Sequence, residues 1–169
     1  MTERRTPQQI ISDLLRVAIT DPNTIRRALN TEWVYPDIPR LIELSEDKNN
    51  FPRISVEAIG VSSRGDIGMD STETEDTITL SVDAWAFQDS AWAVTVGGNS
   101  PKTLSGNNLC EALIQQAHIY LRDNWRTATV PYFLFDYTKT GTMPYEDELE
   151  GTIKRYGMSI SFVGVNIGD

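Results

Sequence analysis

The chain has 169 residues and a net charge of −9, which fits one domain and argues against gripping nucleic acid, because phosphate contacts need a basic face. It is 40% hydrophobic, enough to bury a core and unlike a disordered composition. No apolar run is long enough to cross a membrane, the polar start at Met1–Gln9 has no apolar stretch of the kind a secretory signal needs, and the single cysteine, Cys110, cannot close an internal disulfide.

Thr6 is placed to cap a first helix and Pro7 stands where its first residue belongs. Ile10, Ile11, Leu14, Leu15 and Ala18 then follow at helical spacing. Asp21-Pro22 ends that helix and leads to a short second one from Thr24 towards Asn30. Pro36 and Pro39 make residues 33–40 an extended surface segment or edge strand. Residues 41–44 read as a short strand and 45–50 as a polar turn. Over residues 53–59, Ile54, Val56 and Ala58 alternate with Arg53, Ser55 and Glu57, which predicts a strand.

Residues 60–76 read as a long acidic loop holding Asp66, Asp70, Glu73, Glu75 and Asp76. Next comes the clearest strand, 77–87. Ile78, Leu80, Val82, Ala84 and Ala86 point one way, with Thr77, Thr79, Ser81, Asp83, Trp85 and Phe87 pointing the other. Residues 92–96 suit a strand and Gly97-Gly98-Asn99 a turn. A long helix is expected from Thr103 or Ser105 to near Trp125. Its apolar stripe is Leu109, Ala112, Leu113, Ala117, Tyr120 and Leu121, and its polar stripe Glu111, Gln115, His118 and Arg122.

Residues 130–137 are apolar on both faces and predict a covered strand. A second long loop over 138–151 carries Glu146, Asp147, Glu148 and Glu150, and 153–165 alternates again. The order of helix, strands, helix, strands predicts one α+β domain, with a mixed or antiparallel sheet of about four to five strands and two main helices on one face.

The candidates for chemistry fail on spacing. Cys110 and His118 share the long helix at a separation of about 12 Å along its axis, too far to pair as nucleophile and base. No histidine or cysteine cluster has metal-ligand spacing, so neither a metal nor any other cofactor is expected. The stretch 97–103 sits where a phosphate loop would, but Val96 and Pro101 replace the two glycines that such a loop requires. Both acidic loops lack an apolar pocket to tune a carboxyl for acid–base work. Arg64-Gly65-Asp66 is read as a chance tripeptide. The expectation is therefore an assembly piece and no enzyme. Trp85 and Phe87 lie opposite the Leu80 and Val82 face, so that second face must also be covered, by a helix of the same chain or by a neighbouring subunit. Tyr132 and Phe133 pose the same question. These four residues are the candidate interface.

The run Asn50-Phe51-Pro52-Arg53-Ile54-Ser55-Val56-Glu57, followed by Gly65-Asp66-Ile67-Gly68-Met69 and then residues 76–87, resembles the tail-terminator and neck proteins of tailed viruses, including those of archaea. The order of elements in the rest of the chain fits the same architecture. The resemblance implies a virion protein, assembled in the host cytoplasm, that forms a ring, commonly a hexamer, at the head-proximal end of the tail. Such a ring caps the tail-tube protein, joins it to the head connector or adaptor and lets genomic DNA pass. The acidic residues Asp66, Asp70, Glu73, Glu75, Asp76, Glu146, Asp147 and Glu148 would then line the lumen or face a partner. A head-closure or adaptor role is the alternative within that group, and a small hydrolase or nucleotide-binding enzyme is a distant one. The chain is longer than a minimal terminator, with the excess in 60–76 and 138–151.

Overall fold

The cap at Thr6 forms as its side chain predicts. In the computed structural model, which describes residues 6–40, 44, 47–66, 74–124, 132–148 and 152–166, the Thr6 hydroxyl accepts from the Gln9 N–H. The Gln9 side chain accepts in turn from the Thr6 N–H at 2.8 Å, closing a capping box. Helix α1 runs Pro7–Ala18 and α2 runs Thr24–Ala28, while the long helix α3 runs Gly106–Asn124. The strands are β1 Val34–Tyr35, β2 Arg53–Asp66, β3 Thr74–Phe87, β4 Ala91–Val94, β5 Lys102–Ser105, β6 Tyr132–Glu148 and β7 Ile153–Asn166. The fold is mixed α+β in a single domain. The main sheet has the order β1-β2-β3-β7-β6, and β4 with β5 forms a separate two-stranded ribbon. All pairings in the main sheet are antiparallel except β1 with β2.

Helices α1 and α3 cover one face, as the alternation predicts. Ile54, Val56, Leu80, Val82, Met158 and Ile160 are fully buried there against Leu15, Leu109, Leu113 and Leu121. The polar stripe of α3 faces outward, with Glu111, Gln115 and Arg122 exposed.

Two predicted loops are mostly strand. β2 continues to Asp66 and β3 begins at Thr74, and residues 67–73 between them lie outside the described residues. β6 runs on to Glu148 through most of the second. The cause is length. Fourteen paired rows between β3 and β7 span about 43 Å at 3.3 Å per residue. The nineteen residues of α3 reach only about 28 Å even if laid fully along the strands. Residues 60–66 show no apolar alternation, with Gly60 and Ser62 exposed, and are held by their ladder with β3. The expected start of the long helix also moves. Residues 102–105 pair with β4 as β5, and α3 begins after them at Gly106. The strand expected at 41–44 falls outside the described residues except for Leu44.

A buried ion pair fixes the approach to β2. Arg26 Nε donates to Asp21 Oδ2 at 2.7 Å and Nη2 to Asp21 Oδ1 at 2.7 Å, with both side chains 5% exposed. Asn23 caps α2 by accepting from the Ile25 and Arg26 N–H groups at 3.1 Å. Its amide donates to the Phe51 carbonyl at 3.0 Å, and Arg26 also donates to the Pro52 carbonyl. One small helix thereby grips the segment that sets where β2 starts. Removing one partner of a buried pair strands the other charge, so Arg26→Ala should lower unfolding free energy by about 3–5 kcal/mol in urea titrations. Substituting exposed Arg27 should change it by under about 0.5 kcal/mol.

Candidate assembly surface

The second face of the sheet carries a cross-strand row of cation, aromatic and cation. Arg53 lies opposite Trp85, and Trp85 opposite Arg155. The Arg155 guanidinium sits 4.7 Å above the Trp85 ring, and that of Arg53 sits 3.9 Å above Tyr35. Burial lowers the Arg53 pKa from its ordinary value, an effect that Tyr35 and Asp37 oppose. The Trp85 indole N–H donates to Ser55 Oγ at 2.8 Å. Towards the strand ends, Phe87 packs with Phe51, Ile153 and Leu44, meeting Phe51 edge-on at 5.0 Å.

Trp85 is 2% and Phe87 4% exposed within the single chain. This corrects their assignment as interface candidates, since neither presents apolar area to a neighbour. Arg155 lies over the Trp85 ring and Lys48 over that of Phe87, at 5.7 Å, and these long cationic side chains cover them. The signal was present in the sequence, because Arg53 and Arg155 alternate in phase with Trp85.

Beneath Arg155 lies a fully buried carboxylate. Asp83 accepts from Ser81 Oγ at 2.8 Å and pairs with Arg155 Nε at 3.4 Å. Its neighbour across the ladder is Gly157. A Cβ there would stand 1.9 Å from Asp83 Oδ1, so only glycine leaves room for the carboxylate. Gly157→Ala should destabilise the fold by about 2–3 kcal/mol. The same change in an Asp83→Ala background should cost little, so a double-mutant cycle by chemical denaturation should be strongly non-additive.

The acidic residues do not form one surface. Asp66 ends β2 and Glu75 stands half-buried near the start of β3, at one end of the sheet. Glu146, Asp147 and Glu148 end β6 at the opposite end, about 40 Å away along the strands. Asp76 leaves the loop altogether. It belongs to β3 and is 3% exposed, because its place in the ladder turns it to the same face as Ile78. Asp70 and Glu73 lie outside the described residues. Tyr132 and Phe133 begin β6 in the rows of Asn166 and Val165, at the far end from Trp85 and Phe87. The four interface candidates are therefore not one patch.

The remaining candidates for chemistry stay apart. Burial and the neighbouring Lys139 and Arg122 lower the His118 pKa and favour the neutral ring. Lys102 is an exposed residue of β5, and Gly97 and Gly98 form the hairpin turn with φ of 62° and 76°, so no loop there leads directly into a helix. An open groove of about 860 Å³ runs between the end of α1, the β4–β5 ribbon and the second half of α3. Among its lining residues Arg27 and Asp123 are the charged ones, and Asp123 is engaged by Arg122. Among the described residues no three metal-ligating side chains converge. No protein-family model matches the chain, and no curated protein matches it.

Cys110 is buried, its thiol donates to the Lys154 carbonyl at 3.4 Å, and desolvation pushes its pKa from 9.0 up to about 12. The raised value means that the folded state favours the protonated thiol. That contribution is whole below pH 9.0 and is lost as the pH rises towards about 12. At pH 8 a thiol reagent should modify Cys110 no faster than the chain unfolds, and stability should fall through the alkaline window less steeply in Cys110→Ala.

Proposed function

We propose that the chain is a structural subunit of a tailed-virus neck. It forms a ring, a hexamer by the resemblance of Asn50–Glu57 and its following strand to tail terminators, that ends the tail tube, joins it to the head connector and passes genomic DNA. The observation that carries this reading is the length of the sheet. β3 and β7 pair over fourteen rows, about 43 Å, between flanking strands of fourteen and seventeen residues, which gives a protein with no assembled reactive group among its described residues a long scaffold suited to contacts with other chains. Its net charge of −9 suits a passage that repels the phosphate backbone.

A head-closure or adaptor ring is the second reading, favoured by the acidic groups at both ends of the sheet, which suit two different partners. Labelling within an intact particle separates the two: a terminator touches tail-tube protein and an adaptor the portal side. Mass photometry of the purified protein should show a species near six times the 19.0 kDa protomer mass, and purified tail tubes should carry it at one end. A strict monomer that never joins tail tubes overturns the proposal.

A further inference from the structure

Among the described residues, no strand partners the two outer edges of the main sheet over the same rows. β1 seals only the start of β2, pairing Val34 with Ile54 and Tyr35 with Ser55. Past Ser55, no described strand pairs with the outer side of β2, and none lies outside β6. Near its end β6 has Pro144, in the irregularity between Met143 and Glu146, which removes a donor there. Traced across the register, Val56 shares a row with Val82, Met158 and Thr142, while Asp66 shares one with Thr74, Asn166 and Tyr132. The stretch 58–66 of β2, past the buried Val56, thus stands level with 132–139 of β6.

Direction fits as well. β2, β3, β7 and β6 alternate strictly. With an even number of alternating strands, the β6 edge of one copy meets the β2 edge of a rotated copy in antiparallel sense. The slips at Ala58/Gly60, Leu134/Asp136 and Lys139/Gly141 supply the bending that a closed sheet needs.

The directions of the donors follow from one hydrogen bond. The Ile54 N–H reaches the Trp33 carbonyl, so it points away from β3. Alternation carries that direction to Val56 and Ala58 and, after the extra residue Ile59, to Val61 and Ser63. The same parity carried through β7 turns the N–H groups of Tyr137, Lys139 and Thr142 away from the sheet.

We propose that a second copy of this chain occupies each edge, with 58–66 of one protomer pairing antiparallel with 132–139 of the next, so that head-to-tail contacts close the ring. This rests on the ring reading above. Ser63→Pro and Lys139→Pro each remove an outward donor without breaking the chain's own ladder. Mass photometry of wild type should show the ring. Each variant alone should run at the protomer mass, and an equal mixture should give a species of twice that mass, because one intact edge of each kind remains. Wild-type rings together with rings from both variants overturn the edge pairing and leave the ring reading standing. A wild type that stays monomeric overturns the edge pairing, and one that also never joins tail tubes overturns both. Amide exchange on the wild type decides the matter even if a variant fails to fold. The Val61, Ser63 and Lys139 amides should exchange at least about tenfold more slowly in the ring than in dilute protomer, and equal rates overturn the proposal.

Discussion

Fourteen consecutive residues of β3 pair with β7 without a slip, and the other parts of the domain take their places from that ladder. The strands beside it, β2 and β6, both carry bulges, so irregularity is confined to the flanks. The unbroken centre sets which side chains face α3 and which face the Arg53–Trp85–Arg155 row. A one-residue slip there would turn Leu80, Val82, Met158 and Ile160 away from the helices and bring Asp83 into the core. The Asp21–Arg26 pair secures a second boundary condition, the point at which β2 joins the sheet.

Much of this was legible in the sequence where burial is periodic. Thr6 and Pro7 marked α1, the stripe from Leu109 to Leu121 marked α3, and residues 77–87 marked β3. Residues 60–66 and 138–148 looked like loops because an outer strand without apolar alternation gives no periodic signal. Its pairing depends on a partner elsewhere in the chain. Residues 102–105 were hidden for a related reason, since Lys102 and Thr103 are exposed and only β4 holds them extended. The cover over Trp85 was missed because an arginine was not counted as a lid, although its methylene stem and flat guanidinium serve as one.

The surface that bears on function was the least legible part. Side-chain chemistry pointed to acidic and aromatic residues, and the fold disperses them. Asp76 goes into the sheet, Glu146–Glu148 to one end and Asp66 to the other, while Trp85 and Phe87 are sealed by their own chain. What the proposed assembly has left to use is main-chain polarity along two edges, which no residue type announces and which appears only once the register is known.

The central ladder also has a consequence for the order of folding. β2 with β3, and β6 with β7, are hairpins between neighbouring segments of the chain. The β3–β7 pairs join residues from 66 to 92 positions apart. Contacts that close so large a loop form at a high entropic cost and late. Before they form, each hairpin exposes a long inner edge, straighter than the bulged outer ones. The nascent chain is thus most prone to misassociate through the strands that end up at the centre of the finished domain, and the speed with which α3 brings the two hairpins together decides how long that exposure lasts.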